Sequence, residues 1–243
     1  KRTAVFWGPG SKFALMDGPE GSIDLLVARR PADTHAATVL NNRALDQREH
    51  RFHGATRGYT TIEPWGCLVR RHIFCIDLDG DGQKEVVSDL NGTWNAVTVW
   101  AKDGAPLYSV SFGPSKTEVP ILTYSQEHMR DLDIGDIDGD GKKEIVVATA
   151  DPLVVALDSQ CQKRWKKRLY RRPTVIKIVR PRRPAAASGA WIVVGCENGD
   201  VVVLDGQGSV IRAAKIEGEP VCIAGFDEPQ VGQGCCWQRL AVR

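Results

Sequence analysis

Long hydrophobic runs are missing from this sequence. Its apolar stretches last only a few residues, whereas roughly 20 in a row are needed for a helix to cross a bilayer, so no membrane span is expected. Methionine is scarce, at two residues, and the chain opens with neither an initiating Met nor an apolar leader. The numbering is therefore expected to begin inside a longer precursor. Charge of one sign is not in excess either: the formal net charge of +2 excludes a chain that is basic throughout. No segment sustains an apolar period of 3.6 residues, so helices should be few. The seven cysteines (Cys67, Cys75, Cys161, Cys196, Cys222, Cys235 and Cys236) show no Cys-x-x-Cys spacing and hence no zinc framework. Cys75 and Cys196 fall in strand-like runs, where a thiol behaves as a small buried apolar group. One disulfide is compatible with the set, but spacing does not choose its partners. HExxH and GxSxG elements are also lacking, which leaves metalloprotease and α/β-hydrolase chemistry without a signature.

What is present is a repeat. With 42% hydrophobic and 26% charged residues over 243 positions, the composition is that of a folded chain long enough for one large all-β domain. Asp77-Leu-Asp-Gly-Asp-Gly-Gln-Lys-Glu85-Val-Val returns 59 positions later as Asp136-Ile-Asp-Gly-Asp-Gly-Lys-Lys-Glu144-Ile-Val. A worn copy runs from Glu20 through Asp24 to Ala28, and its loop lacks the first two acids. The strand that follows the acid recurs without it at Ile192-Val-Val-Gly195 and Arg239-Leu-Ala-Val242. The repeat phases are therefore 24, 85, 144, 191 and 238. Downstream of each of the first four phases lies a β-branched run, a short polar turn and a second alternating run, which is a hairpin. Examples are Val97–Phe112, Val154–Trp165 and Val201–Ile211, with Ala37–Phe52 a more polar version.

Each unit thus holds an inner strand, an acidic loop, a second strand and a hairpin. Four antiparallel strands per unit of about 50 residues is the content of a propeller blade. The expected fold is an all-β β-propeller of four-stranded antiparallel blades, a single domain over residues 1–243 with about five blades. The fifth copy stops after its second strand. Either Thr3–Trp7 supplies its outer strand, or the chain is part of a larger propeller.

In both acidic loops carboxylates stand at positions 1, 3 and 5, as Asp77, Asp79, Asp81 and as Asp136, Asp138, Asp140. Glycine follows at position 6, and the carbonyls of Gln83 and Lys142 would serve position 7. Oxygen-only donors of this kind favour Ca²⁺ over zinc or copper. An EF-hand is excluded, because position 12 is Ser88 or Val147 and the remaining acid, Glu85 or Glu144, comes at position 9. Here the chain resembles the FG-GAP (integrin-alpha-like, VCBS-type) β-propeller repeats, with their Asp-x-Asp-x-Asp-Gly-x-x-Asp/Glu loop. The hairpins also look like those of quinoprotein-like propeller repeats, without a cofactor site. The resemblance implies two calcium ions, held at Asp77, Asp79, Asp81, Gln83 and Glu85 and at Asp136, Asp138, Asp140, Lys142 and Glu144. Their implied role is structural, and such loops suit the millimolar calcium of a secreted, periplasmic or extracellular setting.

Up-and-down strand order puts the acidic loops on one rim and the blade linkers on the other. Long linkers at 53–70 and 113–128 concentrate aromatic and polar residues there, as functional loops do. Trp65, Trp94, Asn95 and Tyr124 make a candidate surface for a glycan or protein partner, with rings to stack and amides to bond. The expected function is a calcium-stabilised binding module. The alternative is a polysaccharide lyase acting on an acidic polysaccharide, with His53 or His128 and Tyr59 as the acid–base pair and Arg57 as the carboxylate clamp. One stretch breaks the charge balance: between Ser159 and Cys196 there are eleven Lys or Arg and no Asp or Glu. Residues 163–183 are thus either a polyanion-binding stripe or a solvated, aggregation-resistant edge. No helix-turn-helix, RNP or zinc-finger spacing points to nucleic acid.

Overall fold

The structure, a computed structural model, describes residues 12–17, 21, 23–28, 36–40, 47–51, 72–90, 96–102, 105–112, 129–180, 189–226 and 239–242. Among them it is all-β, without an α-helix, and built of propeller-like blades. Blade 1 comprises β1 (Lys12–Asp17), β2 (Ile23–Ala28), β3 (Ala36–Leu40) and β4 (Gln47–Arg51); blade 2 comprises β5 (Ile73–Ile76), β6 (Glu85–Leu90), β7 (Ala96–Trp100) and β8 (Pro106–Ser111). Blade 3 holds β9 (Met129–Gly135), β10 (Glu144–Thr149), β11 (Leu153–Leu157) and β12 (Lys163–Arg168). Blade 4 holds β13 (Pro173–Val179), β14 (Trp191–Cys196), β15 (Asp200–Leu204) and β16 (Val210–Lys215). Each is a simple antiparallel meander, and β17 (Ile223–Phe226) with β18 (Arg239–Val242) forms a two-stranded fifth sheet. The second strands open at Ile23, Glu85, Glu144, Trp191 and Arg239, each within one residue of a repeat phase. Thr3–Trp7, the expected closing strand, lies outside the described residues. The chain divides into two compact units, Lys1–His128 and Met129–Arg243.

The middle strands explain the sequence pattern. In β10, β7 and β14 consecutive residues are buried, so both faces of the sheet are covered. Such strands read as continuous Val/Ile runs, because alternation marks a strand with one wet face. Alternation returns in what each face touches. Ile192, Val194 and Cys196 of β14 pack with Val146 and Ala148 of β10, while Val193, on the opposite face, packs with Ile223 of β17. Burying a Val or Ile side chain contributes roughly 1.5–3 kcal/mol, so these layers hold the sheets of the second unit together. The outer strands grade into solvent, and every residue of β16 is exposed. Among the described cysteines Cys75, Cys161, Cys196 and Cys222 are free thiols. Burial pushes Cys161 up to about 12 and Cys196 up to about 11, which keeps both protonated and inert near neutrality.

Polar contacts set the order of blades 3 and 4. Asp131 Oδ2 accepts from Ile176 N (2.7 Å), Asp133 Oδ2 from Ile178 N (2.8 Å), and Asp136 Oδ2 from Arg180 Nη2 (3.0 Å). Stepping down β9 therefore means stepping down β13, and the two innermost strands run side by side in the same direction. The carboxylates satisfy N–H groups on an edge strand that has no further strand to bond. Below them the blade 3 acidic loop is wedged into blade 4. A Cβ on Gly206 would lie 2.0 Å from the Ile137 carbonyl oxygen, and one on Gly189 would lie 2.1 Å from it. Trp165 of β12 closes the same junction by donating Nε1–H to the Gly206 carbonyl at 2.9 Å. In the first unit, Lys84 Nζ reaches Asp17 Oδ1 of blade 1 at 2.8 Å.

Asp133 is buried and also pairs with Lys177 at 2.9 Å. Asp133→Ala leaves the Ile178 N–H without its acceptor, a loss of about 1–3 kcal/mol. Urea unfolding is expected to show a lower midpoint at unchanged m-value. An unchanged midpoint would mean that the clamp carries no energy.

Candidate functional site

Both acidic loops are built by the same local chemistry. Asp77 takes the amides of Gly80 (2.7 Å) and Gly82 (3.1 Å), and Asp136 takes those of Gly139 (2.6 Å) and Gly141 (3.2 Å). Those glycines have φ between +82° and +90°, a conformation that costs other residues energy. Space is not the reason, since a Cβ on Gly82, Gly139 or Gly141 would meet nothing within 4 Å. Glu85 and Glu144 reach back across each loop to accept from Leu78 N (2.9 Å) and Ile137 N (3.0 Å). As a result Asp77, Asp79 and Glu85 bring one carboxylate oxygen each within 4.8 Å of the others, and so do Asp136, Asp138 and Glu144. Asp81 and Asp140 are not in these clusters. They turn outward and accept from the amides of Gln83 (2.7 Å) and Lys142 (2.8 Å).

Blade 1 corrects one expectation. Met16 pairs with Asp24 as Ile76 pairs with Glu85 and Gly135 with Glu144. Asp17 therefore holds position 1, which the worn copy was expected to lack. The shift was hidden because this loop is one residue shorter than the other two.

The two clusters differ in their cations. In blade 3 the Arg164 guanidinium donates to Glu144 Oε1 and to Asp138 Oδ2, both at 2.6 Å, while Arg180 bonds Asp136. In blade 2 no Lys or Arg side chain among the described residues bonds Asp79 or Glu85. Burial raises the Glu85 carboxyl above its ordinary range, with the Leu78 amide opposing and Asp79 adding to the rise. Burial likewise works against ionised Asp138, but the Arg164 hydrogen bond, the Asp140 amide and the guanidinium charge together outweigh it and hold that carboxyl low. The donor set of the first loop, carboxylate oxygens alone from Asp77, Asp79 and Glu85, fits a hard cation. In the second loop the corresponding oxygens already carry guanidinium groups, and the fit fails unless these leave.

On the opposite rim of the second unit the connections 150–152, 169–172 and 197–199 come together. Leu169 N bonds the Pro152 carbonyl (2.7 Å) and Glu197 N bonds the Arg172 carbonyl (3.0 Å). At this rim Tyr170 is 101% exposed, between Arg168 and the exposed pair Arg171 and Arg172. On blade 2 the corresponding rim carries a buried Asp89 whose carboxylate holds His72 through its backbone N–H (2.8 Å) and ring Nδ1 (3.2 Å). The expected ligand and lyase residues, Trp65, Trp94, Asn95, Tyr124, His53, Arg57, Tyr59 and His128, all lie outside the described residues. No helix among the described residues is long and apolar enough to cross a membrane.

Residues 122–218 match the family model of the lambda-carrageenase beta-propeller domain. The match covers blades 3 and 4 entire. No curated protein matches the sequence. Among solved structures, the chain is similar to Sqt1 of Saccharomyces cerevisiae, with a TM-score of 0.62 and 11% identity, covering 96% of this chain and 56% of that one. It is also similar to BBS1N, solved in complex with ARL6DN, with a TM-score of 0.58 and 12% identity over 91% of this chain and 61% of that one. At such identity the likeness shows the fold alone. The chain spans about three-fifths of the length of these structures.

Several features of the site escaped the sequence. Tyr170 read as one more residue of a basic run, since nothing in a single sequence separates an exposed tyrosine from a packed one. Asp131 and Asp133 carry no local signal, because the amides they accept from are 45 residues away.

The Glu85 carboxyl yields a pH signature. Its native pKa is raised, so its ionised form destabilises the fold. That cost is absent below the unfolded-state value and grows as pH rises through the native one. With chelator present, Glu85→Gln is expected to melt above the parent protein at pH 7, and the gap should close toward about pH 4. A gap independent of pH would locate the effect elsewhere.

Proposed function

We propose that this β-propeller module binds an anionic polysaccharide on the rim of its second unit opposite that unit's acidic loop, and that calcium at Asp77, Asp79 and Glu85 staples the acidic loop of its first unit. The observation that carries the reading is Tyr170, wholly exposed amid Arg168, Arg171 and Arg172 in a segment without acids. A solvated edge explains exposed Arg and Lys, but it gives no reason for an exposed aromatic ring. A ring face stacks on the apolar face of a sugar, and flanking guanidinium groups take its carboxylate or sulfate oxygens bidentately. The similarity to a carrageenase propeller domain supports a polysaccharide over a protein partner. The Asp-x-Asp-x-Asp-Gly loops, which resemble those of FG-GAP and VCBS repeats, support calcium and with it an extracellular setting.

Calorimetry with matched anionic and neutral polysaccharides tests this. Binding is expected for the anionic one only, weakening at high salt as screened charge pairs do. Arg171→Ala and Arg172→Ala should each weaken it about tenfold, or about 1.4 kcal/mol, and Tyr170→Ala by a comparable factor. Chelation should lower the melting temperature and leave binding in place. Equal affinity for the neutral polymer, or full affinity in the variants, would sink the proposal. A rise in ultraviolet absorbance from unsaturated sugar ends during the titration would make the module a lyase.

A further inference from the structure

We infer that Arg164 is the resident cation of the second acidic loop, so that this loop is held together without a metal ion and the module takes one calcium ion, not two. The inference rests, for the first loop, on the calcium reading above. The loops themselves give no reason to differ: Asp77–Glu85 and Asp136–Glu144 agree at every acid and every glycine, and both assemble the same three carboxylates. The difference comes from the outermost strand of the blade.

In blade 3 the pairing of β11 with β12 slips. Ala156 faces Trp165 and Leu157 faces Lys163, which leaves Arg164 as the extra residue of a β-bulge. A bulge bends its strand and re-aims the extra side chain. Here it sends the guanidinium back over the sheet to the acidic loop, where it bridges Glu144 and Asp138 at 2.6 Å each. Blade 2 has the same bulge at the same place, between Val99 paired with Tyr108 and Trp100 paired with Pro106, and the extra residue there is Leu107. Leucine carries no charge and no donor, and it stays 45% exposed. Blade 4 repeats the slip with Ile211, in a blade that has no acidic loop. Of these three bulges, the one charged residue stands over an acidic loop.

Arg164 does what a bound cation would do. Glu144 is 2% exposed, so its charge needs a partner, and one planar guanidinium joins it to a second carboxylate. Arg180, from the following blade, neutralises Asp136. Two guanidinium charges thus face the three carboxylates of the cluster. A calcium ion entering here would have to expel Arg164 from both bonds and bring its own positive charge beside Arg180. In the first loop, Asp79 and Glu85 pose no such barrier.

Isothermal titration of the chelator-treated chain with Ca²⁺ tests the assignment. The expected result is one ion per chain, lost in Asp79→Asn and retained within twofold in affinity by Asp138→Asn. Arg164→Leu, which copies the blade 2 bulge, should raise the count to two, and its lowered melting temperature in chelator should be restored by Ca²⁺. Two ions in the parent protein, one surviving Asp79→Asn, would overturn the role of Arg164 and leave the calcium reading standing. A count that stays at one in folded Arg164→Leu would overturn it as well. No binding by either protein would overturn the calcium reading and the inference with it. The parent, Asp79→Asn and Asp138→Asn titrations decide the question even if Arg164→Leu does not fold.

Discussion

A four-stranded sheet with two apolar faces cannot stand alone in water, and the other features of this molecule follow from that constraint. In the second unit the middle strands bury residue after residue, and the elements that cover blade 4 on its two faces are other sheets of the same kind. Stacking leaves the strand edges and the inter-strand loops as the places where polar chemistry is possible. The innermost edges bring a second problem, because their backbone groups have no further strand to bond. Blade 3 answers it with Asp131 and Asp133, which reach the amides of Ile176 and Ile178.

Carboxylates recur wherever the backbone needs an acceptor. Position 1 of each complete acidic loop closes a turn on two glycine amides, and the glutamate at position 9 ties the loop back to the strand it precedes. Several acids per blade satisfy the backbone and at the same time crowd negative charge into one place. That crowding calls for a cation. A lysine from the next blade pairs Asp17 and two arginines pair the blade 3 cluster. In the first complete loop no Lys or Arg side chain among the described residues bonds Asp79 or Glu85, which cluster with Asp77.

The two rims of the second unit therefore differ in chemistry as well as in position. One carries the acidic loop, wedged against glycine turns of the following blade and sealed by Trp165. The other carries short connections, an exposed tyrosine and a group of arginines. Sequence order produces this separation directly, because in a meander every second loop returns to the same rim. The side chains on β12 take part in both: Arg164 and Trp165 look toward the acidic rim and the neighbouring blade, while Arg168 ends at the basic one.

By itself the sequence determined the architecture. Repeated Val/Ile runs with polar turns between them can bury their faces only by stacking, so the four-stranded rhythm was legible, with second strands opening within a residue of the repeat phases at Ile23, Glu85, Glu144, Trp191 and Arg239. The acidic loops were legible for a similar reason, since Asp, Gly and Glu at fixed spacing fold back on themselves through contacts within nine residues. The tertiary structure alone decided what those loops face. Whether the carboxylate cluster meets a guanidinium from its own outer strand depends on which residue a β-bulge makes extra, Arg164 or Leu107. A second guanidinium, that of Arg180, comes from the following blade. Likewise Asp17 took its place in the first loop through strand register, and Tyr170 its exposure through the packing around it. Register, bulges and packing arise from contacts between segments far apart in the chain, and no local spacing records them.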